Sequence, residues 1–249
     1  MQTLLTSMFF VLGSIFGSFL NVVIIRLPKN ETIVHGRSHC IHCEHELSAF
    51  ELIPILSYIG LNGKCRVCKS PISMRYPLIE TLTAVLFALS YLRFGFTVEL
   101  IIALLLNMLL VTISIIDFDT YEIYDRFQIM LLILSLSTLF ISKLSYWDHF
   151  FGFFIISVPL YLIAVLTDGI GGGDIKLMAI AGLMLGYQST LVAFFVGTLI
   201  GSIYAIYLLR FKSASRKSQL AFGPFLCLGI FIAFHYGPQI INAYIQLWT

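Results

Sequence analysis

The sequence predicts an all-α polytopic membrane protein with about eight transmembrane helices and one cytoplasmic, zinc-binding loop. Three observations carry that reading. Of 249 residues, 59% are hydrophobic and only 11% are charged; apolar stretches long enough to span recur down the chain; and a single long polar region, holding four of the five cysteines, interrupts them. A water-soluble domain of this composition would expose contiguous apolar surface, which a bilayer covers instead. About 20 residues at roughly 1.5 Å rise cross roughly 30 Å of hydrocarbon.

The apolar segments are drawn at 4–25, 77–94, 98–116, 127–142, 149–166, 175–188, 190–210 and 221–243. The sixth, KLMAIAGLMLGY, is short and glycine-bearing, which suits a tilted or partly inserted helix. With eight crossings, both termini lie on one side. Basic residues set the orientation, because Lys and Arg stay on the cytoplasmic side of short loops. Thirteen of them, from Arg26 through Arg126 and Lys176 to Lys217, fall on one face, and only Arg93 and Lys143 fall on the other. The long loop is therefore expected in the cytoplasm and both termini outside. The N-terminus has no basic region and no small-residue cleavage site, so the first segment reads as a retained span. The net charge of +2 gives no sign of nucleic-acid binding.

Helix 1 carries Gly13 and Gly17, spaced for close helix contact, and Asn21 near its end. The loop from Arg26 to Tyr76 contains Cys40-Ile-His-Cys43 and Cys65-Arg-Val-Cys68. Two CxxC pairs can gather four thiolates round one structural Zn²⁺, and four cysteine ligands leave no open position for chemistry. Disulfides are disfavoured in a reducing compartment. His35, His39, His42 and His45 surround the first pair, so a mixed Cys and His set competes with the four-cysteine site. Between the pairs, Leu52–Gly60 is a short amphipathic stretch that suits the membrane surface. Pro77 fits the first turn of the next helix. Glu80, about a turn inside it, is either a paired functional group or a satisfied interface residue. Cys227, in the last segment, reads as a packing residue.

Helix 3 runs without a loop into Asp117, followed by Asp119, Glu122 and Asp125. The fifth segment ends in the same plane, before Asp168 and then Gly171-Gly172-Gly173-Asp174-Ile-Lys176. The glycines are expected to allow close approach and conformations barred to other residues, placing Asp174 near a helix N-terminus and opposite Asp117. Two carboxylates a few ångströms apart share a proton, so one can act as acid and the other as base on a water molecule. Proteolysis is the leading reading of this arrangement. Ion or substrate transport and a purely structural role remain open, although a transporter would more usually carry midplane charges and an internal repeat.

These residues together resemble the type IV prepilin peptidases, also called prepilin leader peptidase/N-methyltransferases. Gly17-Ser-Phe-Leu-Asn21-Val-Val-Ile-Ile-Arg26-Leu-Pro28 is similar to the family's first-helix signature. The CxxC pairs with Ile72-Ser-Met-Arg75-Tyr-Pro-Leu-Ile-Glu80 resemble its N-terminal, methyltransferase-associated region. Gly171-Gly-Gly-Asp174-Ile-Lys176-Leu resembles the GxGD aspartyl peptidase motif, and Phe222-Gly-Pro-Phe-Leu the opening of the last helix. Tyr124 and Leu220-Ala221 stand where the family has Pro and Ile-Pro.

The resemblance implies Asp117 and Asp174 as the catalytic pair and S-adenosyl-L-methionine as methyl donor. It also implies a methyltransferase-associated region at 1–94, with its zinc-binding loop at 26–76, and a membrane peptidase domain at 95–249. The expected substrates are type IV prepilins or pseudopilins, cut at the cytoplasmic face of a bacterial inner or plasma membrane and then N-methylated. The resemblance leaves the individual roles of Asn21, Arg26, Arg75 and Glu80 open. A peptidase that lacks the methyl-transfer activity is the alternative.

Overall fold

Each of the eight apolar segments forms a helix in the computed structural model, which describes residues 1–34, 36–142, 144–167, 169–211 and 220–247. The helices are α1 (Gln2–Arg26), α3 (Arg75–Phe94), α4 (Val98–Thr120), α5 (Asp125–Ile141), α6 (Tyr146–Thr167), α7 (Gly172–Leu185), α8 (Tyr187–Phe211) and α9 (Gly223–Gln246). The short α2 (Leu56–Gly60) and a 3₁₀ turn (Ala49–Leu52) lie in the polar loop. Among the described residues there are no strands beyond two isolated bridges, both in that loop.

Six of the helices, α1, α3, α4, α6, α8 and α9, are long and apolar enough to cross a membrane. This makes the chain a multi-pass membrane protein. The expected count of eight is not reached by length: α5 has 17 residues and α7 has 14, or about 25 and 21 Å of helix. The reason for α7 is local. It starts behind the glycine run, is stopped by Gly186 at φ +74°, and is packed on by α5, α6, α8 and α9. A helix covered on so many sides does not need a full lipid-facing length.

The chain divides into two compact units, Met1–Met108 and Leu109–Thr249, with the boundary inside α4. In the first unit, α1 and α3 pack antiparallel at very close range. A Cβ on Gly13 would stand 2.7 Å from Ala84 Cα, and one on Gly17 would stand 2.7 Å from Glu80 Cα. A larger residue at either position would force the helices apart. The first half of α4 is tied to α3 by Asn107, whose Nδ2 donates to Ser90 Oγ at 2.8 Å. In the second unit, Gly152 of α6 and Gly182 of α7 face each other backbone to backbone. Buried His149 holds the same pair of helices: its Nδ1 lies 2.7 Å from the Leu183 carbonyl and its Nε2 lies 2.9 Å from Ser142 Oγ. The carbonyl must accept, so the ring carries its proton on Nδ1 and Nε2 accepts from the serine hydroxyl.

Candidate functional site

In the loop of the first unit, each CxxC pair is framed by the same backbone pattern. The Cys40 N–H donates to the His45 carbonyl at 2.9 Å, and the Cys65 N–H donates to the Ser70 carbonyl at 2.8 Å. The residue after each second cysteine turns into the left-handed region, Glu44 at φ 57° and Lys69 at φ 60°. Those turns point all four thiols inward. Cys40 and Cys68 Sγ stand 3.8 Å apart, Cys43 and Cys65 Sγ stand 3.9 Å apart, and all four sulfurs lie within 4.8 Å of one another. A tetrahedron of sulfurs at about 2.3 Å from zinc has edges of about 3.8 Å, which two of the sulfur pairs match, so the set suits a zinc ion with at most about 1 Å of closing elsewhere.

The electrostatics agree. The backbone N–H groups of His42 and Cys43 draw the Cys40 thiol down to about 6, and the Ser70 hydroxyl and N–H lower that of Cys68. The His45 N–H also pulls on Cys43, but desolvation and the three neighbouring sulfurs push it up to about 12. Four crowded thiols cannot all ionise without a cation among them. No described histidine joins the group: His45 Nε2 faces Glu51 Oε2 at 3.3 Å, and His42 is exposed. His35 lies outside the described residues.

The other N-terminal residues singled out from the sequence brace this region. Asn21, buried in α1, donates from Nδ2 to the Tyr76 carbonyl at 3.2 Å. The Arg26 guanidinium reaches the carbonyls of Thr32, Gly36 and Arg37 and so closes the loop entry. Arg75 opens α3 half-buried, with its N–H on Ser73 Oγ. Glu80 is buried, accepts the Ile55 N–H at 2.7 Å and hydrogen-bonds Ser18.

The second unit brings the two aspartates together. Asp117, near the end of α4, is only 5% exposed, and its Oδ2 accepts the N–H of Gly223, the first residue of α9, at 3.0 Å. That donor is one of the unpaired amides of a helix start, where the dipole favours a negative charge. There is no room for a side chain at 223, because a Cβ would sit 2.7 Å from the same Oδ2. Asp174 occupies the first turn of α7, close enough for the charge of Asp117 to act on it. Its Oδ1 is buried with no hydrogen-bond partner among the described residues.

The glycine run supplies space, not unusual dihedrals. Gly171 is extended at φ −67°, ψ 136°, and neither Gly172 nor Gly173 has a positive φ. A Cβ on Gly173 would press at 3.0 Å on Ile123, which precedes α5. The Gly173 carbonyl accepts from Nε2 of Gln128, a buried α5 residue, at 2.8 Å. Lys176 pairs with Asp125 at 2.7 Å in the open. Asp119 and Glu122 are exposed, and Asp168 lies outside the described residues.

Gly223 and Gln128 were not singled out individually from the sequence. Gly-Pro at a helix start and a lone Gln in an apolar run were the available signals. Cys227 packs as expected, but its neighbours are Ser114 and both aspartates.

Residues 11–94 match the family model described as the bacterial peptidase A24 N-terminal domain, and residues 103–206 match the type IV leader peptidase family model. A protein of Bacillus subtilis (strain 168) named prepilin leader peptidase/N-methyltransferase is 35% identical, over 97% of this chain and 98% of the relative. Proteins of the same name from Pseudomonas aeruginosa and Legionella pneumophila are 33% and 32% identical, covering 92% and 91% of those relatives and 95% and 93% of this chain. No solved structure matches the chain.

Proposed function

This chain belongs to the type IV leader peptidase family, and on that premise we propose that it cuts the leader from type IV prepilins or pseudopilins with Asp117 and Asp174 and then N-methylates the new N-terminal residue. The observation that carries the peptidase reading is the unequal pair of neighbouring carboxylates. Asp117 is steadied by a helix-start N–H, and Asp174 keeps a buried oxygen without a partner. With the charge of Asp117 acting on Asp174, the pair carries one proton between them in this reading. The Gly223 amide suits Asp117 to the charged role of base, which leaves Asp174 as the acid.

Asp117 takes a proton from water as the water oxygen attacks the scissile carbonyl carbon. Asp174 donates its proton to the carbonyl oxygen. Collapse of the tetrahedral intermediate breaks the C–N bond as a proton passes to the leaving nitrogen. The products are a leader carboxylate and a free mature amine. When bound, S-adenosyl-L-methionine would supply an electrophilic methyl group to that amine, which would lose one proton as the donor departs as the thioether S-adenosylhomocysteine. Asn21, Arg26, Arg75 and Glu80 act in the methyltransferase-associated region, 1–94, by holding the cysteine loop in place. Cys40, Cys43, Cys65 and Cys68 hold a structural Zn²⁺, and with four thiolates bound it has no coordination position left for substrate.

The peptidase domain is 95–249, and the chain crosses a bacterial inner or plasma membrane eight times, the 17-residue α5 and the 14-residue α7 being its short crossings. The cysteine loop and both aspartates lie at the cytoplasmic face, as the one-sided distribution of Lys and Arg supports. A reporter fused after Lys212 should then be cytoplasmic and one at the C-terminus external; cytoplasmic signals at both would remove the last crossing.

The activity is tested by co-expressing the chain with a prepilin and measuring the mass of the pilin's N-terminal peptide. Loss of the leader plus one added methyl group is the expected result. A trimmed but unmethylated peptide would leave only the peptidase, and an intact leader would overturn the proposal.

A further inference from the structure

Between the two cysteine pairs the chain is built inside out for water. From Ala49 to Gly60 every exposed residue is apolar or glycine, whereas the polar Glu51, Ser57 and Tyr58 are turned inward. The exposed side chains are large: Phe50 is 79% exposed, Leu56 68% and Ile59 64%, with Leu52 and Ile53 beside them. Two of the inward polar groups find partners nearby, although Glu51 Oε1 is buried without one among the described residues. Glu51 accepts from the Ser48 N–H and hydroxyl, and the Tyr58 hydroxyl donates to the Ile72 carbonyl. A contiguous apolar face of this kind marks an interaction surface.

What covers it follows from its depth. The α1–α3 pair is in antiparallel register, with Gly13 against Ala84, Gly17 against Glu80 and Asn21 against Tyr76. Glu80 therefore lies five residues past Arg75 and level with Gly17, nine residues before Arg26. Those offsets are about 7 and 13 Å along the helices, on the apolar side of both arginines. The Ile55 N–H is bonded to the Glu80 carboxylate, whose side chain leans back toward the N-terminal end of α3, so the start of α2 is pinned close to the charged ends of two spans. Ile55 itself has φ 63° and ψ −53°, a conformation that β-branched residues rarely adopt.

We propose that Phe50–Ile59 is an interfacial anchor: its exposed apolar face is seated in the lipid at the boundary between headgroups and acyl chains, where it sets the depth of the cysteine loop. Short amphipathic segments of this kind lie in the plane of the interface. Glu80 is then a positioning residue, acting through the Ile55 amide.

The test uses the full chain with Trp147→Phe and Trp248→Phe, carrying either Leu56→Trp or Ile59→Trp. The protein is reconstituted in vesicles of phosphatidylcholine and phosphatidylglycerol. Lipids brominated on the acyl chains should quench both new tryptophans, and aqueous iodide should quench them several-fold less than free tryptophan. Adding Glu80→Leu should lower the bromolipid quenching of Leu56→Trp while bound zinc is retained. Full iodide quenching at both positions, with no effect of brominated lipid, would overturn the anchor. Iodide quenching that only an added prepilin peptide suppresses would assign the face to substrate instead. Unchanged depth in the Glu80→Leu protein would overturn the pin.

Discussion

The cysteine loop and the aspartate pair hold their functional side chains over very different lengths of chain. Each cysteine knuckle is closed by bonds between residues five apart, Cys40 to His45 and Cys65 to Ser70. The aspartate site depends on partners far away in sequence: Asp117 on Gly223, 106 residues on, and the Asp174 turn on Gln128 across 45 residues. The loop has almost no core of its own: among its described residues only Leu27, at its start, and Cys65 are buried hydrophobic side chains. A metal ion bound by the four cysteines would supply stability that packing does not. The aspartates are secured by the helix bundle around them. Local geometry with little packing calls for a ligand, and distant geometry calls for precise helix contacts.

Three kinds of variant should pull the two regions apart. The largest effect is expected from Cys40→Ser with Cys43→Ser, or from Cys65→Ser with Cys68→Ser. Structural zinc in small peptides contributes about 10–16 kcal/mol of apparent binding free energy. Metal analysis of the purified protein should fall from about one equivalent to background, while leader cleavage persists. A variant that keeps stoichiometric zinc would contradict the four-cysteine site.

Gly223→Ala should act on the other region alone. Its Cβ would displace the Asp117 carboxylate, and a misplacement of about 1 Å costs on the order of 100-fold in rate. The loss should appear in kcat for cleavage, with KM and methylation of a precleaved pilin preserved. An Ala variant with the parent kcat would mean the carboxylate can shift freely. A smaller effect is expected for Gln128→Ala, which leaves the Gly173 carbonyl without its donor. At about 1–3 kcal/mol for an unsatisfied buried group, cleavage should fall roughly tenfold; no change would show that the turn holds itself.

The same contrast governs what the sequence disclosed. The knuckles, the apolar segments and the Asp-rich helix ends were legible because each is written in residues close together in the chain. Asp117 and Asp174 could be singled out as a pair, but the means of holding them could not. The Gly223 amide reaches Asp117 only after the last helix has folded back to it, and Gln128 gains its meaning only once α5 lies against α7. The three glycines suggested special dihedrals, whereas folding uses Gly173 for its lack of a side chain beside Ile123. The sixth segment was legible as a short helix, but its burial by four neighbouring helices is not visible in a hydropathy run. Glu80 was recognisable as a costly intramembrane carboxylate, but its partner, the amide of Ile55, lies 25 residues earlier in an irregular turn.

The most direct test of the central claim is to assay Asp117→Asn and Asp174→Asn separately, at matched membrane abundance, for leader cleavage and for methylation of a precleaved pilin. Each change keeps the side-chain volume and removes a proton-transfer group worth about 10²–10⁴-fold in rate. The pair should fail as a unit. Both variants should therefore lose cleavage by roughly three orders of magnitude or more while retaining bound zinc and methyl transfer. Normal cleavage by either variant would contradict the paired-aspartate account.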